Sequence, residues 1–181
     1  PATSSAASDV YKRQGLDKLI IFNSLSKRSN ASGMRAGFIA GDKNVIESYK
    51  LLVSNGASPV PIPIQKVAAS LYADEEHHTK ACIHYDKNFS IVEKYLKPFY
   101  KDFKLPDAGF FLWLKVRDDQ QATRILWNKF SLRVMPGSFM GTDVQGFNPG
   151  KGFLRISLVD NKEVIEEAMK RIQLFLQSEI S

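Results

Sequence analysis

Between Ser24 and Gly37 the chain reads Ser-Leu-Ser-Lys-Arg-Ser-Asn-Ala-Ser-Gly-Met-Arg-Ala-Gly, a run whose residue types suit one particular chemistry. Lys27 brings a primary amine that can condense with an aldehyde carbon to form an imine. Ser24 can donate a hydrogen bond to a phosphate oxygen, and Arg35 can meet the same group with a planar fork of donors. Apolar runs flank the segment, Leu19-Ile-Ile-Phe22 before it and Gly37-Phe-Ile-Ala40 after it. A Ser-, Asn- and Gly-rich stretch between strands is ordinarily only a loop, and a single lysine is ordinarily solvated. The whole string S-x-S-K-x-x-x-x-x-G-x-R-x-G sets this run apart from such a loop.

A second candidate lies far along the chain. Arg155 sits inside Phe153-Leu-Arg-Ile-Ser-Leu-Val159, and an arginine in so apolar a strand needs a ligand or a partner. A head group that snorkels to the surface, or a structural ion pair, would satisfy it equally well on the residues alone. Two turn-rich segments, Met135-Pro-Gly-Ser-Phe-Met-Gly141 and Phe147-Asn-Pro-Gly150, read as shaping elements without catalytic groups. Glu75-Glu-His77-His78 offers metal-ligand types, but neighbours on a helix point apart and no third ligand group is evident, so it reads as a solvated helix end. Phe110, Phe111 and Trp113 read as core, with Phe111 or Trp113 the candidates for lining a pocket. Cys82 reads as a packing residue.

The elements that must hold these groups follow from periodicity. Residues 18–22 and 36–40 read as buried strands. Asp42 is placed to cap a helix over 43–53 whose apolar side holds Val45, Ile46, Tyr49, Leu52 and Val53. Alternating prolines in 58–63 enforce an extended bend, and Pro63 starts a helix over 64–77. A long amphipathic helix is expected over 79–96, a strand over 109–116, a helix over 120–130, and short strands over 132–135 and 152–158. A final helix opens at Asp160 with Glu163 three residues on, like a capping box, and carries Val164, Ile165, Ala168, Met169, Ile172 and Phe175 at helical spacing. Strands alternating with helices define the α/β class, with an α+β second half.

Composition narrows the field. The 181 residues are 44% apolar, enough for a sizeable core. No apolar run approaches the roughly 20 residues of a membrane helix, and no signal-peptide h-region opens the chain. One cysteine excludes an internal disulfide and fits a reducing, cytoplasmic setting. A net charge of +6 is scattered without a Lys/Arg block, which argues against a nucleic-acid partner. Residues 1–15 show no apolar period and read as a disordered or non-native leader.

The lysine string resembles that of fold-type I, class I/II aminotransferases, which use pyridoxal 5′-phosphate (PLP). The resemblance extends over 16–181. It implies that Lys27 holds PLP as an imine and serves as the catalytic base, and that Ser24, Ser26 and Arg35 bind the cofactor with it. Arg155 would bind the substrate α-carboxylate. The fold implied is the C-terminal part of a PLP-dependent transferase: 16–78 the end of the large cofactor domain, 79–181 the small domain. The substrates would be an amino acid and a 2-oxo acid, with no metal, and the full-length parent a homodimer. The runs Ser24 to Asp42 and Asn148 to Val159 are similar in particular to succinyldiaminopimelate aminotransferases of lysine biosynthesis, with glutamate as donor. Relatives bring the aspartate at the pyridine nitrogen, a stacking aromatic ring and a phosphate loop from sequence ahead of the lysine, so the isolated chain is expected to be an inactive fragment. Two other classes stay open: an aminotransferase-like PLP-sensing domain of a transcription regulator, and a non-catalytic structural fragment.

Overall fold

The computed structural model describes residues 16–57 and 59–180, and the leader reading of 1–15 lies outside them. The chain divides into two compact units that meet between Lys80 and Ala81.

In the first unit, β1 (Ile20–Ser24) pairs antiparallel with β2 (Gly37–Gly41), Ser24 standing opposite Gly37. A side chain at position 37 would overlap the carbonyl of Asn23, so glycine permits the strands to close at this end. The single helical turn α1 (Leu25–Arg28) and a 3₁₀ turn (Ser32–Met34) fill the connection. Then come α2 (Lys43–Gly56), α3 (Ile62–Ala73) and the start of α4 (Glu76–Leu96). Asp42 caps α2 as predicted, accepting from the N–H groups of Asn44 and Val45. The backbone hydrogen bond from Lys18, with those from Asn44 and Val45, holds the Asp42 carboxyl below its ordinary range.

Three expectations are corrected here. Strands β1 and β2 are not buried: Phe22 is 72% exposed and Phe38 45%. The helix predicted over 64–77 ends at Ala73, and α4 starts at Glu76 instead of Thr79. Asp74 adopts an extended backbone and its Oδ1 accepts from the Glu76 N–H at 2.8 Å, ending one helix and capping the next. The apolar side of α2 is amphipathic as read, yet no α2 residue is buried among the described residues.

The second unit is a three-stranded antiparallel sheet in the order β3-β5-β4, with β3 at Phe111–Lys115, β4 at Met135–Pro136 and β5 at Phe153–Ser157. Helices α4, α5 (Asp119–Phe130) and α6 (Lys162–Ile180) supply the apolar layer. Alternation along the strands sends Leu112, Leu114, Leu154 and Ile156 into a core with Val92, Leu96, Leu126, Met169, Ile172 and Phe175. The strand predicted over 132–135 survives only at Met135, because Ser131 turns left-handed to close α5 and the Leu132 N–H bonds back to Leu126. The cap of α6 falls on Asn161, whose Oδ1 accepts from Val164 N–H, instead of Asp160. Cys82 is exposed and does not pack in the core.

Candidate active site

The hairpin register builds the first half of the site. Ser24 closes β1, Arg35 precedes β2 by two residues, and the Leu25 N–H donates to the Ala36 carbonyl at 3.2 Å, so the ladder continues past the strand ends. Ser24 and Arg35 therefore enter from the same end of the hairpin. The Ser24 hydroxyl caps α1, accepting from the Ser26 N–H at 3.2 Å and donating to the Ser26 hydroxyl at 3.1 Å. Lys27 follows on the exposed side of that turn. Arg35 holds a left-handed backbone at φ 49°, and its Nη1 donates to the Ser32 carbonyl at 2.9 Å. The structure thus gathers Ser24, Ser26, Lys27 and Arg35 on one short connection.

Leu25 gives the turn its apolar footing. It is fully buried against Ala36 and Ala68. The polar footing lies in residues that the sequence reading passed over. Arg28, two-point bonded, donates from Nη1 to the Leu71 carbonyl at 2.8 Å and from Nη2 to Glu75 at 2.6 Å. Nη2 also reaches the Tyr72 carbonyl at 3.5 Å, and both carbonyls belong to the last turn of α3, where backbone acceptors lack helical partners and a cation is favoured. The Tyr72 ring lies 5.5 Å from the guanidinium carbon. Ser29 Oγ stands 2.9 Å from His77 Nε2, and His77 Nδ1 stands 2.9 Å from Asp74 Oδ2. The carboxylate can only accept, so Nδ1 carries a proton and donates, and Nε2 shares a hydrogen bond with the Ser29 hydroxyl. The side-chain bond from His77, with the Glu76 N–H, holds the Asp74 carboxyl below its ordinary range. His77, first weighed as a metal-ligand type, is engaged in this chain instead.

The second unit presents Arg155 on the sheet face opposite the core. It sits on the central strand with Trp113 and Met135 directly across from it. Its guanidinium carbon lies 4.5 Å from the Phe111 ring centre, a cation–π contact. Among the described residues it has neither a carboxylate nor a carbonyl partner. The ring fixes one face of the planar fork and leaves its edge donors available to an anion. Trp113, read as core, is 46% exposed on this same face, while Phe110 and Phe111 are half-buried. The alternation that buries Leu112 and Leu114 turns Trp113 outward.

Both turn segments of this unit are tied together. A side chain at Gly137 or Gly150 would overlap the backbone of the other, so the Met135–Gly141 and Phe147–Gly150 segments close on a contact that only glycine allows. Asp119, buried at the first turn of α5, accepts from the Ser138 N–H at 2.8 Å and the Gly152 N–H at 3.1 Å. Burial pushes its carboxyl up, but hydrogen bonds from Ser138 and Gly152 outweigh it and leave the group below its ordinary range. An Asp-Asp pair ahead of a helix was the sequence signal for this role, hidden because Asp118 is the plain cap.

Comparison with known proteins bears on this arrangement directly. The model of the family described as aminotransferase class I and II matches residues 2–172. This chain belongs to that family. Class I/II aminotransferases are PLP-dependent enzymes built on the α/β transferase fold. The chain is 30% identical to an LL-diaminopimelate aminotransferase of Nostoc sp., over 95% of this chain and 45% of that protein. Among solved structures it is similar to an aminotransferase from Neisseria meningitidis, at 36% identity and a TM-score of 0.83, over 94% of this chain and 43% of that one. It is also similar to aspartate aminotransferase from Thermotoga maritima, at 27% identity and a TM-score of 0.75, over 90% and 41% of the two chains. The chain spans somewhat under half the length of the relatives it matches.

The donor set of the aminotransferase hairpin suits PLP. The cofactor presents an aldehyde and a phosphate dianion. One amine, two hydroxyls 3.1 Å apart and one guanidinium on a single connection match those two groups in type and number.

Proposed function

We propose that Lys27, Ser24, Ser26 and Arg35 form the PLP site of an aminotransferase that moves an amino group between an amino acid and a 2-oxo acid. The gathering of these four residues at one end of the β1–β2 hairpin carries this reading. Residues 16–78 would be the end of the large cofactor domain and 79–181 the small domain. Bound PLP supplies an electrophilic carbon and an electron sink for the substrate Cα.

The chain's own groups divide the work. The Lys27 amine would hold the cofactor through its aldehyde carbon, and the same amine would serve as the base for the proton on the substrate Cα. Ser24, Ser26 and Arg35 would hold the phosphate, an anchor independent of the Lys27 amine. Arg155, its face fixed on Phe111, offers two parallel donors to the substrate α-carboxylate. The amino acceptor would be the 2-oxo acid whose amination gives N-succinyldiaminopimelate, with glutamate as donor, and the full-length parent would act as a homodimer. The Ser24–Asp42 and Asn148–Val159 runs support this substrate class, as does the diaminopimelate skeleton in the name of the Nostoc relative. Turnover would need the part of the relatives' length that this chain does not span.

The test is an absorbance titration of the chain with PLP, then borohydride reduction and peptide mass mapping. A phosphopyridoxyl label confined to Lys27, and lost in Lys27→Ala, is the expected result. Scattered labelling, or none, would overturn the assignment of the site to these residues. In the full-length parent, succinyldiaminopimelate with 2-oxoglutarate, the reverse direction that regenerates glutamate, is the substrate pair to assay first, and its failure against other pairs would overturn the acceptor assignment alone.

A further inference from the structure

A single helical turn does not hold itself. Forming one turn fixes several dihedrals for one hydrogen bond, so a four-residue helix persists only where outside contacts favour it. α1 is such a turn, and its apolar footing is Leu25 alone. Lys27, on its exposed side, cannot be placed by packing.

The two residues after Lys27 both reach across to the α3–α4 junction. Arg28, its side chain only 15% exposed, joins the last carbonyls of α3 to Glu75. Ser29, through His77, joins Asp74, which both ends α3 and caps α4. The Ser–His–Asp order of these bonds matches that around a serine nucleophile. The N–H groups of Ser29 and Ala31, however, both donate to the Leu25 carbonyl, so neither can serve an oxyanion. The chain is better suited to holding than to reacting.

We propose that Arg28 and the Ser29–His77–Asp74 chain are positioning residues for Lys27, a two-point tether that keeps the lysine turn folded whether or not its amine is engaged. This rests on the reading of Lys27 as the cofactor lysine, while the tether itself can be tested without cofactor. The hydroxyl of Ser29 can donate to neutral His77 or accept from the protonated ring, so the link tolerates either state of the imidazole.

Amide hydrogen exchange, followed by mass spectrometry on the whole 181-residue chain, separates a local tether from general support. Arg28→Ala should speed exchange across residues 25–31 about tenfold, as expected for a lost charge-assisted pair. Ser29→Ala and His77→Ala should each speed it about threefold, and the double variant no more than either alone, because both cut one chain. Ser29→Thr, which keeps the hydroxyl, should restore the parent rate. Strands β1 and β2 and helix α3 should keep their protection throughout. Unchanged exchange in the turn would overturn the tether, and so would an equal rise through β1, β2 and α3. In parallel, Arg28→Ala should lower the share of borohydride-fixed PLP found on Lys27 relative to other lysines. If the parent chain shows no preference for Lys27, the cofactor reading fails and the exchange data still decide the tether.

Discussion

The two units solve the same problem with different means. Among the described residues, the second unit buries fifteen apolar side chains in one cluster, whereas the first buries only Leu25, Ala36 and Ala68. The second can place Arg155 by geometry alone: a packed sheet fixes the strand, alternation fixes the face, and Phe111 fixes the ring plane. The first has no comparable core beneath Lys27. Its connection is ordered by Ser24 as a cap, by Arg28 on helix-end carbonyls and by the Ser29–His77 link. An arginine proposed to bind a carboxylate stands on a rigid sheet, and a lysine proposed to bond and release a cofactor stands on a small turn held at its ends.

That contrast can be broken or sharpened by substitution. The largest effect should come from Phe175→Ala, which opens a cavity against Phe130 and the α5–α6 layer. About 3–5 kcal/mol should be lost in urea unfolding, read by exchange protection in residues 89–176. If the hairpin lost protection equally, the two units would not be separable in stability. Next is Leu25→Ala, at about 2–4 kcal/mol, with loss centred on residues 25–36. A cost near zero would mean that the polar ties alone carry the lysine turn.

Asp119→Ala should follow at about 2 kcal/mol, because the Ser138 and Gly152 N–H groups lose their acceptor. The carboxyl is held below the ordinary aspartate value of 3.8 in the folded chain, so its contribution is present above that pH and lost as pH falls through the lower folded value. Acid unfolding of Asp119→Ala should therefore show a shallower loss of stability below about pH 4 than the parent. Smallest is Tyr100→Phe, at about 1 kcal/mol, which removes the bond from its hydroxyl to the Lys115 carbonyl at 2.8 Å. Burial pushes the Tyr100 phenol up to about 12 from 10.0. The folded state favours the neutral phenol, so this contribution is whole below pH 10 and disappears as pH rises through the folded value. In a phenolate absorbance titration Tyr100→Phe should remove a late component, and an unchanged curve would count against the burial of this ring.

Sequence made the candidate chemistry legible before the architecture that positions it. Lys27, Ser24 and Arg35 declare themselves by spacing, because a motif concentrates its meaning in adjacent residues. Arg155 was legible as an anomaly, a charge in an apolar strand, but its seat on Phe111 needed the register of two strands far apart in the chain. Helices α2, α5 and α6 followed their periodicity to within a few residues. The misreadings of β1 and Trp113 share a cause: burial depends on what lies over a strand, and neither carries that information locally. Arg28 and Ser29 were missed because each is ordinary alone, and their meaning lies in pairings with Leu71, Glu75 and His77 across more than 40 residues.

Those pairings bear on anyone who would move this motif. A protein engineer grafting residues 24–37 onto another scaffold would transplant the Lys27 amine and its hydroxyl neighbours as one continuous piece. The anchor points at Leu71, Asp74, Glu75 and His77 would stay behind. The portable unit is therefore discontinuous, a hairpin tip together with a helix junction, and a library that varies the tip alone would be exploring half of it.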